Sequence, residues 1–131
     1  MNDEEVKCAQ VIAHDPRVEC WVRNLEREPR LSFWIQTSTD KFYPDFVAKL
    51  VNGKVLAVEY KGAHLAGTPD TKEKERLGKL WEERSDGQCF FEMVKGPGEF
   101  GKVQDAIKKA SAPAIGFGGS ERELKNREGF R

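Results

Sequence analysis

The chain has 131 residues, 34% of them charged and 38% hydrophobic, which predicts one domain large enough to bury a core without disulfides or a structural metal. Its 22 basic and 22 acidic residues balance, which excludes a general basic field that would draw the whole molecule to nucleic acid. Any affinity for nucleic acid must therefore come from a local patch or from a metal site.

The three cysteines, Cys8, Cys20 and Cys89, are scattered and lack metal-ligand spacing. We expect reduced thiols that pack as small buried hydrophobic side chains, as in a cytoplasmic protein. The first five residues are mostly acidic and no long apolar run follows, so we expect neither a signal peptide nor a membrane span.

The first third of the chain predicts a helix, an ambiguous segment and a strand. Apolar residues recur at helical spacing over residues 3 to 14, behind three acidic residues that suit the positive end of a helix dipole. Asp15-Pro16 ends this helix. Residues 17 to 28 fit a short helix or a strand equally well, whereas residues 31 to 37, rich in aromatic and β-branched side chains, predict a strand.

The central stretch, residues 42 to 64, predicts two strands joined by a turn, with charges where a buried strand should have none. The run from 55 to 58 is aliphatic without polar alternation, which is typical of a central strand covered on both faces. Asp45 lies in the first strand, and Glu59 and Lys61 end the second, two apart and so on one face. Buried charges are costly unless something pairs with them, so these three residues predict a site for a divalent cation and a phosphate.

The turn between these strands decides whether the three residues meet. A two-residue turn at Asn52-Gly53 pairs position 45 with 60 and puts Asp45 on the face opposite Glu59. A three-residue loop over residues 51 to 53, with Gly53 left-handed in a bulge, pairs Asp45 with Glu59. The site hypothesis therefore predicts an odd-length loop or a bulge.

The remainder of the chain predicts two helices and a strand. Thr68-Pro69 begins a helix over residues 71 to 84, whose buried stripe is expected at Leu77, Leu80 and Trp81. Residues 89 to 94 predict a strand, and a last amphipathic helix begins near residue 100 and stops at Pro113. The order of elements predicts an α/β sandwich over residues 1 to 115, with a central mixed sheet of about four strands flanked by helices, and a flexible charged tail over residues 116 to 131.

Two short motifs carry a resemblance to a known superfamily. Tyr43-Pro44-Asp45-Phe46, followed by Glu59-Tyr60-Lys61-Gly62, resembles the PD-(D/E)xK nuclease pattern. With Trp21-Val22-Arg23-Asn24 upstream, roughly residues 4 to 95 look like the C-terminal endonuclease domain of type III restriction enzyme helicase (Res) subunits. The resemblance implies a restriction-endonuclease-like fold and Mg²⁺-dependent hydrolysis of DNA phosphodiester bonds in restriction-modification, with Mn²⁺ expected to substitute.

The same resemblance assigns roles to the central residues. Asp45 and Glu59 are implied as Mg²⁺ ligands, with the main-chain carbonyl of Tyr60 as a third. A bound Mg²⁺ lowers the pKa of a water molecule and neutralises charge on the phosphate. Lys61 is implied to orient the attacking hydroxide and to stabilise the developing negative charge.

Residues outside the central stretch carry weaker assignments. The family often has a glutamate on its opening helix, four residues before a small residue, and Glu5 matches best, with Glu4 as the alternative; a plain first-turn carboxylate is the competing interpretation. Arg23, His64 and Lys72 are candidates for DNA contacts, against ordinary roles as a solvated charge, a loop residue and part of a solvated helix face.

The resemblance also implies partners. Family nuclease domains sit behind a helicase/ATPase motor and work with a methyltransferase subunit, but this sequence has no Walker A loop, so we expect a separated domain, a fragment or a free-standing relative. Cutting both strands with one site per chain would need a homodimer. Two alternatives stay open: a catalytically silent nucleic-acid or protein-binding module of the same fold, and a structural Glu59–Lys61 ion pair with Asp45 capping a turn.

Overall fold

The computed structural model describes residues 2–24, 35–36 and 41–112. The described helices are α1 (Asp3–Ala13), α2 (Pro69–Glu83) and α3 (Gly101–Ser111). The strands are β1 (Val18–Arg23), β2 (Ile35–Gln36), β3 (Lys41–Phe42), β4 (Phe46–Leu50), β5 (Val55–Lys61) and β6 (Cys89–Lys95). Two 3₁₀ turns, Ala63–Leu65 and Pro97–Glu99, follow β5 and β6.

Four strands form the central sheet in the order β1-β4-β5-β6. The first two pairings are antiparallel, and β5 pairs with β6 in parallel through the crossover helix α2. The prediction of an α/β protein with a mixed four-stranded sheet flanked by helices is thereby confirmed. β5 is buried on both faces over residues 56 to 60, as its aliphatic run predicts.

The loop between β4 and β5 has the odd length that the site hypothesis predicts. Phe46 pairs with Val58 and Lys49 with Val55, a register that aligns position 45 with position 59. The Leu50 amide donates to the Lys54 carbonyl at 2.9 Å, which leaves residues 51 to 53 as the loop. Gly53 has φ +89°, the left-handed conformation that glycine adopts without strain. The three-residue loop is confirmed and the two-residue turn is wrong.

Each face of the sheet packs against helices to form its own apolar cluster. α1 and α3 cover one face, where Ile12 and Ile107 belong to the same apolar cluster as Phe46 and Val58. α2 covers the other face, where Leu77 and Trp81 pack against a cluster that includes Phe42, Ala57, Phe91 and Met93. Because alternate residues of β5 point to opposite faces, Tyr60 faces α1 and α3, while Glu59 and Lys61 point to the α2 side.

Three expectations need correction or completion. The fourth strand of the main sheet is supplied by residues 18 to 23, from the segment that periodicity left ambiguous. The strand expected over residues 31 to 37 is described only at Ile35–Gln36, which pairs with β3 in a separate two-stranded sheet. Cys20 is exposed because its side of the edge strand β1 has no layer of described residues over it, whereas Cys8 is buried and Cys89 is half-buried.

The helix boundaries follow the signals in the sequence. Asn2 and Glu5 form a reciprocal capping box on α1, and the Thr68 side chain caps α2 by accepting from the Thr71 amide. The predicted tail, residues 116 to 131, lies outside the described residues. None of the helices described in residues 2–24 and 41–112 has the length and apolar character that a membrane crossing requires.

Gly78 sets how closely α2 approaches the sheet. It is buried in the middle of α2, and a Cβ at this position would overlap the ring of Phe91 on β6. We expect Gly78→Ala to lower the free energy of unfolding by about 2 kcal/mol, because the helix must move off the sheet to admit the methyl group. Urea unfolding measures the change. Gly101→Ala is the matched control, since a Cβ at that helical glycine meets no atom within 4 Å; equal effects of the two substitutions would contradict the tight packing at Gly78.

Candidate functional site

Asp45 and Glu59 hold each other through reciprocal hydrogen bonds. The Asp45 amide donates to Glu59 Oε1 at 3.0 Å, and the Tyr60 amide donates to Asp45 Oδ2 at 2.8 Å. These bonds continue the β4–β5 ladder beyond Phe46, with carboxylates in place of main-chain carbonyls. The two bonds hold the carboxyl groups of Asp45 and Glu59 close together at the end of the buried strand β5.

Two lysines approach this acidic pair. Lys61 Nζ lies 3.4 Å from Glu59 Oε2, and its side chain is 17% exposed. Lys74 of α2 lowers the pKa of Glu59 by its charge, while it pairs with Asp70 at 3.2 Å and lies over the Phe42 ring. The positive charges of Lys61 and Lys74 therefore offset only part of the negative charge of the two carboxylates.

Both carboxyl groups hold their protons more tightly than usual. Burial and the repulsion of Asp45 raise the pKa of Glu59 to about 8, and Lys61 and Lys74 offset this only in part. Burial also raises the pKa of Asp45, with a further contribution from the charge of Glu5, against the lowering effect of its bond to the Tyr60 amide. A buried and a half-buried carboxylate that repel each other would gain from a bound cation.

The first turn of α1 forms an acidic wall beside this pair. The Tyr60 hydroxyl donates to Glu4 Oε1, and Glu5 accepts from the Asn2 amide at 3.2 Å within the capping box. Glu5 is also close enough to raise the pKa of both Asp45 and Cys8. Glu4 is thus tied to β5, while Glu5 combines its capping role with proximity to Asp45.

These groups line a single cleft of about 1090 Å³ at the end of β5. The turns after β5 and β6 also contribute to it: His64 of the first is exposed, and the amide of Gly96, which follows β6, donates to the Lys61 carbonyl at 2.9 Å. The lining combines the N-cap and first turn of α1, the strand-end residues and residues of these two turns: Asn2, Asp3, Glu4, Glu5, Asp45, Glu59, Tyr60, Lys61, Gly62, Ala63, His64, Leu65 and Pro97.

Of the residues expected to contact DNA, only His64 lines this cleft. Arg23 is exposed at the end of β1 opposite Phe46, and Lys72 is exposed on α2; neither belongs to the lining. Contacts of these two residues with DNA stay predictions.

Sequence reasoning missed one neighbour of the site, Lys74, and one contact within it, the bond from Tyr60 to Glu4. The charge pattern of the helix predicts that Lys74 lies on a solvated face. The structure shows that Thr71, three residues earlier and so on the same side of the helix, is buried. The bond from the Tyr60 hydroxyl to Glu4 joins positions 56 residues apart, and local patterns carry no signal for such a contact.

The donors present suit a hard cation that keeps much of its hydration. Asp45 and Glu59 offer carboxylate oxygens, and the Tyr60 carbonyl points to the Asp45 side of β5, because the N–H and C=O of a strand residue point the same way. No group of three or more His, Cys, Asp or Glu side chains with metal-binding geometry occurs within residues 2–24, 35–36 and 41–112. A cation at this pair would complete its shell with main chain, water or substrate oxygens, as Mg²⁺ commonly does.

His64 packs over Gly62, and this contact makes a prediction. A Cβ at Gly62 would lie 2.8 Å from His64 Cε1 and 2.9 Å from its Nδ1, so Gly62→Ala must push the imidazole off the strand end. Because His64 is exposed and free to rotate, we expect a shift of its ring NMR signals with a stability change within about 0.5 kcal/mol. Gly67→Ala is the matched control in the same loop, since a Cβ there meets no atom within 4 Å. Unchanged ring signals in Gly62→Ala would contradict the packing.

Comparison with protein-family models, curated proteins and solved structures finds no significant match for the chain. A function for this chain is therefore inferred from the cleft and from the motifs that line it.

Proposed function

We propose that this chain is a Mg²⁺-dependent endonuclease that hydrolyses DNA phosphodiester bonds, with a restriction-endonuclease-like fold. The observation that carries the proposal is the β4–β5 register. It sets Asp45 opposite Glu59, with Lys61 next on the same face, at the floor of an open cleft. The motif resemblance requires this same juxtaposition, and the alternative turn would have separated the two carboxylates.

Each residue has a distinct task in this proposal. Asp45, Glu59 and the Tyr60 carbonyl would hold Mg²⁺, which would supply an acidified water molecule and neutralise charge at the phosphate. Lys61, one-sixth exposed beside Glu59, stabilises the negative charge that develops on the phosphate during attack. Glu59 is buried and Asp45 is half-buried at the same strand end, so a bound cation would compensate charge that water solvates only in part.

The electrostatics favour this function over a purely structural ion pair. Lys61 and Lys74 lower the pKa of Glu59, but burial and Asp45 together still raise it to about 8, so the ion pair alone does not compensate this carboxylate. The arrangement therefore costs stability without a cation, which is typical of a site kept for binding rather than for folding.

The proposal is tested by incubating the purified chain with supercoiled and linear DNA and with Mg²⁺ or Mn²⁺. Metal-dependent nicking or linearisation supports it. The absence of cleavage with either metal would favour the catalytically silent binding module, or a nuclease that needs a helicase motor and methyltransferase subunit. Sedimentation with DNA present then tests whether two copies assemble to cut both strands.

A further inference from the structure

Tyr60 joins the candidate site to the first turn of α1. Its amide donates to Asp45 Oδ2 at 2.8 Å, while its hydroxyl donates to Glu4 Oε1 on the far side of the strand. One residue thus contacts both the strand-end carboxylate and the helix that forms the acidic wall of the cleft.

The ring between these two contacts is firmly held. Tyr60 is 5% exposed and its ring lies 5.7 Å from that of Phe100, centroid to centroid, at an interplanar angle of 30°. The alternation of β5 turns the ring away from the side that carries Glu59 and Lys61. The hydroxyl therefore has a fixed position from which to bind α1.

Glu5 is the residue that this contact would orient. It follows Glu4 directly in the helix, and the capping box with Asn2 limits its freedom. Glu5 lines the cleft together with Asp45 and Glu59, and its charge acts on Asp45 and on Cys8, which lies one turn further along α1. Because consecutive residues of a helix turn move together, anchoring Glu4 also anchors Glu5.

We infer that the Tyr60 hydroxyl is a positioning group that holds the first turn of α1 so that Glu5 faces the Asp45–Glu59 pair. The inference deepens the proposed function and rests on it. Tyr60 acts through Glu5: it sets how much negative charge surrounds the cation, while its ring stays out of the substrate path. The Tyr60→Phe substitution keeps the packed ring and removes only the anchoring oxygen.

Mn²⁺ affinity, measured by calorimetry in a double-mutant cycle, tests this role. Tyr60→Phe and Glu5→Gln are each expected to weaken Mn²⁺ binding about 10-fold, with the double variant little weaker than either alone. Tyr43→Phe is the matched control, because it removes the only other tyrosine hydroxyl of the chain. Added to Tyr43→Phe, Glu5→Gln is expected to weaken Mn²⁺ binding as much as it does in the parent. Multiplicative losses in the Tyr60→Phe/Glu5→Gln pair would overturn the inference.

Turnover gives a second readout that simple loss of stability would not reproduce. Tyr60→Phe is expected to lower kcat about 10-fold with KM for DNA unchanged, since the substituted atom faces α1 and not the substrate. Asp105→Asn, an exposed substitution outside the cleft lining, is the control and is expected to match the parent. An unchanged kcat in Tyr60→Phe, or a raised KM for DNA in place of the lowered kcat, would contradict the anchoring role.

A metal-free measurement separates failure of this inference from failure of the proposed function. Hydrogen exchange at the amides of Glu5 and Val6, which bond to Asn2, is expected to be several-fold faster in Tyr60→Phe than in the parent. If the parent binds no Mn²⁺, the proposed function fails and the exchange rates alone decide whether Tyr60 anchors α1. If Asp45→Ala abolishes Mn²⁺ binding while Tyr60→Phe leaves it and the exchange unchanged, only this inference fails.

Discussion

Asp45→Ala and Lys61→Ala are each expected to reduce metal-dependent cleavage of supercoiled DNA at least about 100-fold. The first removes a cation ligand, and the second removes the charge that stabilises the attacked phosphate. Plasmid nicking with Mg²⁺ and with Mn²⁺ measures the rates. Asp105→Ala and Lys49→Ala are matched controls, because both residues are exposed and lie outside the cleft lining.

The pattern of outcomes separates the competing interpretations. Cleavage that survives both cleft substitutions would mean that the assigned residues are wrong and that the activity comes from another site or from a contaminant. If the parent itself does not cut, a Mn²⁺ titration of parent against Asp45→Ala distinguishes the two remaining cases. Binding lost in the variant indicates a metal site that awaits a motor subunit, and no binding in either favours a silent module.

The second large effect concerns stability against pH in the metal-free protein. The folded pKa of Glu59 is about 8 against an ordinary value of 4.5, so the folded state binds more protons than the unfolded state between these values. Stability contributed by the protonated form is fully present below about pH 4.5 and is lost as pH rises through about 8. The loss is at most about 5 kcal/mol, at about 1.4 kcal/mol per pKa unit, and Asp45 acts in the same direction.

The expected result is that Glu59→Gln is more stable than the parent at pH 9, by about 2 kcal/mol, and similar to it at pH 5. The amide keeps an acceptor for the Asp45 amide and removes the buried charge, although Lys61 loses its partner. Urea unfolding at both pH values, without metal, measures the difference. Glu83→Gln, at the exposed end of α2, is the control. A parent whose stability is flat or rises between pH 5 and pH 9 would contradict the electrostatics of the site.

Mn²⁺ should restore the stability that the parent loses at high pH. A cation that binds only the folded state adds stability that grows with its concentration, so Mn²⁺ at pH 8.5 should raise the unfolding midpoint of the parent. The same addition should leave Glu59→Gln nearly unchanged, because the substituted side chain no longer supplies a carboxylate.

The hairpin of β4 and β5 could be predicted from the sequence because its strand-end charges suggested a specific site. The sequence left two turn geometries open at Asn52-Gly53, and the hypothesis that Asp45 meets Glu59 favoured the three-residue loop that the structure has. The capping residues Asn2 and Thr68 likewise act within a few residues, where local rules apply.

What the sequence could not supply depends on contacts between distant segments. Residues 18 to 23 alternate too irregularly for periodicity to identify a strand, and pairing with β4 decides their conformation. Leu80 was expected in the buried stripe of α2 but is only half-buried. Gly78 is buried instead, packed against the ring of Phe91 on the sheet. Lys74 faces Glu59 only because α2 crosses back over β5 and β6.

The loop over residues 51 to 53 has a consequence for tracing relatives of this chain. Hairpin loops ordinarily tolerate changes of length, and sequence alignments place gaps in them freely. In this hairpin one residue more or fewer would turn every side chain of β4 to the opposite face, separating Asp45 from Glu59 although both letters of the motif survive. A candidate relative should therefore be judged by the number of residues between its aspartate and its glutamate, which is as informative as their identity.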